Sequence, residues 1–106
     1  IMPSLVGSEM CIRDSICILQ LLKEDRYGYD LIKIMQKFFP DTEESTLYAI
    51  LRRLNQEGMT EVYYSDISNG PTRKYYKLTV EGEKKLNDYM LEWKNIENIF
   101  REIGER

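Results

Sequence analysis

Two short segments rich in aromatic and β-forming residues, separated by a tight turn, most constrain the fold of this 106-residue chain. They are residues 59–66 (MTEVYYSD) and 73–79 (RKYYKLT). Between them lies Ile-Ser-Asn-Gly-Pro-Thr, with Asn69-Gly70 at the position of the turn. Runs of this kind on either side of an Asn-Gly pair predict an antiparallel β-hairpin.

Three helical patterns precede the hairpin. The first covers residues 16–22 and is apolar nearly all round, as expected of a buried or interfacial helix. A turn at residues 27–30 (YGYD) leads into the second helix, which Pro40 closes. Its apolar positions are Leu31, Ile32, Met35 and Phe38. Asp41 and Glu44 predict a capping box that opens a third helix. Three helices followed by a β-hairpin is the order of a winged helix, an α+β fold.

The third helix, which runs to Gly58, combines one apolar stripe with an outward face of small, hydroxyl and arginine side chains. The stripe consists of Leu47, Ile50, Leu51 and Leu54. At about 100° per residue the opposite face carries Ser45, Ala49, Arg52 and Gln56, with Thr46, Tyr48 and Arg53 on its flanks. Such a face suits the major groove, because arginine binds guanine edges or phosphates and small residues allow close approach. The alternative is an ordinary amphipathic helix with solvated arginines.

The returning strand of the hairpin carries Arg73, Lys74 and Lys77 close to the turn. In a winged helix, cations at this place meet the DNA backbone or minor groove beside the third helix. Residues 44–79 hold five basic and four acidic side chains, whereas each flanking segment has a net charge of −2. This balance favours a wing that contacts DNA. The alternative is an edge whose cations discourage strand pairing.

A long last helix is predicted from Val80 to Ile103, with Thr79 as its N-cap. Apolar residues recur in it at steps of three and four: Leu86, Tyr89, Trp93, Ile96, Phe100 and Ile103. This spacing is an a/d seam sustained for nearly three heptads. It predicts a dimerisation helix, because a small domain alone does not cover so long an apolar face. The alternative is that the helix packs back on its own core.

Composition excludes most catalytic chemistry. The chain has no histidine and two cysteines, Cys11 and Cys17, so it lacks the residues for a Ser-His-Asp relay, a tetrahedral thiolate site or a disulfide framework. The nearest carboxylate group, Asp41, Glu43 and Glu44, is interpreted as helix capping and first-turn charge. We therefore expect no enzyme, cofactor or metal, a reducing compartment and no membrane span.

The overall charge leaves two classes of function. With 18 acidic against 15 basic side chains, the net charge of −3 argues against a generic polyanion binder but not against a local basic face. One class is a DNA-binding regulator. The other is a winged helix that serves only protein–protein interaction.

Residues 1–15 differ in pattern from the rest. Residues 4–15 (SLVGSEMCIRDS) resemble a translated sequencing adapter joined to a truncated reading frame. The alternative is a genuine but irregular N-terminal arm. The expected organisation is therefore a non-native segment at 1–15, a winged-helix DNA-binding domain at 16–79 and a C-terminal dimerisation helix at 80–106.

Four motifs in order resemble the PadR family of transcriptional regulators. They are residues 27–32 (YGYDLI), 46–54 (TLYAILRRL), 57–58 (EG) and 73–82 (RKYYKLTVEG). The resemblance covers residues 16–106, and the single C-terminal helix is similar to the compact branch of the family.

The resemblance implies a bacterial, cytoplasmic homodimer that binds a palindromic operator in double-stranded DNA, usually as a repressor. The third helix would enter the major groove with Thr46, Tyr48, Arg52 and Arg53 facing DNA. Arg73 and Lys74 would meet phosphates. Ser45 stands where the family commonly has glycine, and with Ala49 it completes the expected DNA-binding set.

Some compact PadR proteins resemble multidrug sensors that hold flat aromatic cations between symmetry-related tryptophans. Trp93 falls at the matching place, Tyr89 lies one turn away, and Asp88 and Glu92 would supply countercharge. Paired indole faces stack planar ligands and attract cations. The alternative is that Trp93 is simply the largest side chain of the dimer seam.

Overall fold

The computed structural model describes the backbone of residues 3–65 and 70–105 and, within these ranges, the side chains from Ile12 onward. The elements in chain order are α1 Pro3–Leu21, β1 Arg26–Tyr27, α2 Gly28–Phe38, α3 Glu44–Gln56, β2 Thr60–Ser65, β3 Arg73–Leu78 and α4 Val80–Gly104. This order confirms the predicted α+β winged helix, with α2 and α3 as the helix-turn-helix and β2–β3 as the wing. Asn69 of the predicted turn lies outside the described residues.

The helices and the sheet enclose one core. Its fully buried apolar side chains come from the four helices and from the turn after α1: Ile18, Leu19, Leu22, Leu31, Ile32, Met35, Leu47, Leu51, Leu54 and Leu86. The stripe predicted on α3 is confirmed, since Ile50 is buried as well. Phe38 differs from the prediction and is 68% exposed. Helix α2 ends at Phe38, and the chain turns there so that Phe39 packs against the core instead.

Helix α1 begins well before the predicted start at Ile16. The boundary expected after Ser15 falls inside α1, and the side chains of Asp14 and Ser15 are buried. Proline suits the first helical position, and the twelve residues from Ser4 to Ser15 contain no second proline to interrupt the helix.

A third strand joins the hairpin. Strand β1 pairs antiparallel with β3, so that Arg26 faces Tyr76 and Tyr27 faces Tyr75, and the sheet order is β1-β3-β2. The sequence indicated only a turn here, because two residues are too few to show the alternation that reveals a strand.

The two predicted caps have different outcomes. The capping box is wrong: α3 begins at Glu44, its N-cap is Glu43, and that side chain makes no capping hydrogen bond. Asp41 lies in the preceding turn, two residues too early for the motif. The N-cap of α4 is confirmed, because the Thr79 hydroxyl accepts a hydrogen bond from the Gly82 N–H at 3.0 Å. Only Thr79 separates β3 from α4.

Candidate nucleic-acid interface

Helix α3 presents the predicted outward face to solvent. Its exposed residues on this side are Ser45, Thr46, Ala49, Arg52 and Gln56. Their exposure follows from the stripe on the other side, which is buried against α1 and α2. Among the described residues, none forms an ion pair or hydrogen bond with the Arg52 guanidinium, so this cation is available to a ligand.

Arg53 differs from Arg52 although the two are adjacent. Its Nη2 donates a hydrogen bond to Ser15 Oγ at 2.9 Å, which ties α3 to α1. The side chain is still exposed. A contact from Arg53 to DNA would therefore compete with a contact inside the protein.

Tyr48 is half-buried and packs against the core beside α2. Burial raises the pKa of its phenol, and the Glu44 carboxylate and the nearby phenols of Tyr27, Tyr76 and Tyr29 raise it further. Tyr48 thus stands at the junction of α3 with the tyrosines of β1, β3 and α2 rather than fully outward.

The cations of the wing lie on both faces of β3. The guanidinium of Arg73 is 4.9 Å from the centre of the Tyr27 ring, and the Lys74 ammonium is 5.5 Å from the centre of the buried Tyr76 ring. Successive residues of a strand alternate between faces. Lys74 therefore lies on the side of the sheet that packs on the helices, whereas Arg73 and Lys77 lie on the outer side.

The outer side of the sheet carries a row of tyrosines that the sequence analysis missed. Strand register places Tyr27, Tyr75 and Tyr63 side by side, and Tyr29 follows at the start of α2. Ring centres are 6.0 Å apart for Tyr29–Tyr27 and Tyr27–Tyr75, and 5.5 Å apart for the stacked pair Tyr75–Tyr63. We call these four residues the tyrosine face. The available signal was a pair of consecutive tyrosines in each predicted strand, since one member of each pair must face away from the core.

The two ends of the tyrosine face differ in charge. At the β2 end, the Tyr63 hydroxyl donates a hydrogen bond to Asp25 Oδ2 at 2.8 Å. This bond, with smaller effects of desolvation and of the Asp25 charge, raises the pKa of Tyr63. At the α2 end, the Lys33 ammonium lies 5.0 Å from the centre of the Tyr29 ring. The cationic end is therefore the one on α2, the helix that packs against α3.

A groove of about 1000 Å³ lies between α1 and α4. Its walls include Ile12, Ile16, Cys17, Tyr89, Trp93 and Ile96. Three of the four predicted ligand-binding residues line it, namely Trp93, Tyr89 and Glu92. Asp88 does not line it.

The outer half of α4 exposes the predicted seam. Trp93 is 65% and Phe100 78% exposed, and Ile96 and Ile103 are exposed as well. Leu86 departs from the prediction: it is fully buried in the core of its own chain, because the first turns of α4 pack on the domain. The free apolar seam therefore begins at Tyr89.

The part of the chain that the structure describes holds no cluster of three or more potential metal ligands. None of the helices described is both long enough and apolar enough to cross a membrane.

Three known proteins resemble this chain over most of its length. A PadR family transcription regulator from Clostridium difficile R20291 is 34% identical, with a TM-score of 0.76 over 85% of this chain and 96% of that one. A PadR-like transcription factor from Bacteroides fragilis is 31% identical, with a TM-score of 0.82 over 94% of this chain and 98% of that one. An uncharacterized protein X from Lysinibacillus sphaericus is 36% identical over 89 residues, 81% of this chain and 82% of that protein.

The sequence profile of the PadR-like transcriptional regulator family matches residues 18–88, which include α2, α3, the wing and the start of α4. The chain therefore belongs to the PadR-like family of transcriptional regulators.

Proposed function

We propose that this DNA-binding regulator is a ligand-responsive repressor that binds a palindromic operator as a homodimer in the bacterial cytoplasm. Its family consists of transcription regulators rather than enzymes. The observation that carries the proposal is the exposed face of α3, where Arg52 has no partner among the described residues and is flanked by small side chains.

In the proposed complex α3 enters the major groove. Ser45, Thr46 and Ala49 allow close approach, and Arg52 binds a guanine edge or a phosphate. Tyr48 contacts DNA at the margin of this surface. Arg53 reaches DNA by giving up its hydrogen bond to Ser15.

The wing positions the protein on the duplex. Arg73 and Lys74 meet phosphates on either side of β3, which fixes the register of α3 without reading sequence. Both side chains are exposed, and each lies over a tyrosine ring that limits its motion.

The homodimer is proposed from the seam of α4. A continuous exposed apolar surface marks an interaction site in soluble proteins. The seam is formed by Tyr89, Trp93, Ile96, Phe100 and Ile103. Two such helices related by a two-fold axis would bury these side chains and set two copies of α3 about 34–36 Å apart, one turn of DNA.

The groove between α1 and α4 is the proposed effector site. Trp93 and Tyr89 offer aromatic faces to a flat cation, and Glu92 supplies negative charge, to which Asp88 adds at longer range from outside the groove lining. The other proposal for Trp93 is a purely structural place in the dimer seam.

Fluorescence anisotropy of a labelled duplex pool across a salt series tests the DNA-binding proposal. We expect saturable binding whose logarithm falls linearly with the logarithm of salt concentration. Binding that is absent, or indifferent to salt, contradicts the proposal and favours a winged helix that contacts a protein partner. Sedimentation of the same sample reports whether the protein is a dimer.

A further inference from the structure

The tyrosine face continues the surface of α3 toward the wing. Helix α2 packs against α3, and its first turn carries Tyr29, so the row begins on the helix next to α3. From there the row passes through Tyr75 to Tyr63 on β2. In a helix-turn-helix protein the second helix of the motif enters the major groove while the first crosses the backbone. Tyr29, in the first turn of α2, is therefore placed at the backbone beside α3.

Three hydroxyls of the tyrosine face are available to a ligand. Within the described ranges, no residue accepts a hydrogen bond from the hydroxyl of Tyr27, Tyr29 or Tyr75. The fourth hydroxyl, that of Tyr63, is already used by Asp25. The described residues thus leave three phenol donors open to an acceptor on a ligand.

The charges beside the free hydroxyls favour an anionic acceptor. Arg73 lies over the Tyr27 ring and Lys33 over the Tyr29 ring, so two cations flank this end of the row. The Asp25 carboxylate sits at the opposite end, next to Tyr63. Tyrosine is among the side chains that donate to DNA phosphates, and its hydroxyl does so without carrying charge.

We propose that the hydroxyls of Tyr27, Tyr29 and Tyr75 donate hydrogen bonds to phosphates of the DNA backbone beside the bound helix α3. This inference rests on the DNA binding proposed above. Uncharged hydroxyls would then make part of the contact with the DNA backbone. Such contacts suit a protein whose net charge is −3, because they require no additional cations. Contacts of this kind release no counterions, so they add affinity without adding salt dependence.

Hydroxyl deletions test the proposal. The probe is a fluorescein-labelled random-sequence duplex, because phosphate contacts do not require the operator. Tyr29→Phe removes one free hydroxyl and keeps the ring. Tyr63→Phe is the matched control, because it removes the hydroxyl that Asp25 already occupies. Thermal melting by circular dichroism checks that each variant is folded.

The expected result is a loss of affinity without a change in salt slope. Tyr29→Phe should weaken binding about three- to tenfold. Its plot of log binding constant against log salt concentration should run parallel to that of the wild type. Tyr63→Phe should bind as the wild type. Arg73→Gln should make the slope less negative by about 0.9, which calibrates the loss of a charged contact.

Three outcomes would overturn the proposal. If the triple variant Y27F/Y29F/Y75F binds like the wild type, the phenols make no phosphate contact while the proposed DNA binding stands. If Tyr29→Phe makes the salt slope less negative, the substitution has removed a charged contact, and the hydroxyl is not the uncharged donor proposed here. If the wild type itself shows no salt-dependent binding, the proposed function fails and this inference fails with it.

Discussion

The hydroxyl of Thr79 donates a hydrogen bond to the carbonyl oxygen of Gly58 at 2.7 Å and accepts one from the N–H of Gly82 at 3.0 Å. One side chain thus joins the end of α3 to the first turn of α4. We expect Thr79→Val to lower the free energy of unfolding by about 1–2 kcal/mol, since valine makes neither the capping hydrogen bond with Gly82 nor the hydrogen bond to Gly58. Urea denaturation measures this, and Thr79→Ser, which keeps the hydroxyl, should stay within experimental error of the wild type.

Gly82 packs against the chain that leaves α3. A Cβ at this position would overlap the Met59 carbonyl oxygen and lie 2.7 Å from Leu78 Cδ1. Gly82→Ala should therefore destabilise the protein by about 1–3 kcal/mol despite the better helix propensity of alanine. Gly104→Ala, near the other end of α4, has nothing within 4 Å of its Cβ and is the control. Equal melting temperatures for Gly82→Ala and Gly104→Ala would show that the added Cβ at Gly82 does not overlap the Met59 carbonyl oxygen.

Substitutions of Arg52 and Arg53 should differ in their effect on stability, although both residues lie on the proposed DNA-binding surface. Arg52→Ala should weaken binding to a selected operator by about 1–3 kcal/mol and leave the melting temperature unchanged, because no described residue pairs with the guanidinium. Arg53→Ala should lower the melting temperature as well, since its bond to Ser15 is lost. Lys84→Ala, on the exposed side of α4, controls for the removal of one charge. An operator affinity unchanged in Arg52→Ala would exclude Arg52 from base recognition.

A carboxylate in the α4 seam should dissociate the proposed dimer. Phe100→Asp should weaken self-association at least about tenfold, since an unpaired charge would be buried between two copies of α4. Val80→Asp makes a similar change at an exposed site about 160° around the helix, and it should sediment as the wild type. A wild-type sedimentation profile for Phe100→Asp would show that this side of α4 is not the interface.

Trp93 reports directly on its own groove, because the chain has one tryptophan. Titration with a planar cationic dye should quench its emission at micromolar dye, because the dye would stack on the indole. Absence of quenching would leave Trp93 as a seam residue without an effector.

Periodicity allowed the prediction of the elements that have a clear apolar face. Leu47 and Leu54 recur at helical spacing and are both fully buried, and the β-forming runs became β2 and β3. Leu86 shows what periodicity does not reveal. The apolar residues of α4 keep the same spacing along its length. The spacing therefore does not show at which residue the helix extends beyond the core of its own domain.

The tyrosine face could not be predicted because it depends on pairing between distant segments. Tyr27 meets Tyr75 only through β1, whose two residues carry no strand pattern of their own. Likewise, the different environments of Arg52 and Arg53 depend on α1, which contributes Ser15. Sequence spacing places both arginines on α3 but does not show which neighbour each one meets.

The single residue between β3 and α4 makes the wing and the long helix one mechanical piece. Helix α4 has 25 residues and so extends about 37 Å from that joint. A tilt of about 5° at Thr79 displaces the far end of such a rod by about 3 Å. Conversely, if two copies of α4 cross as proposed, a change in their crossing angle rotates the two wings, because no flexible linker between β3 and α4 absorbs it. In the proposed dimer, the crossing angle of the two helices is the variable through which the proposed effector would alter the fit to DNA.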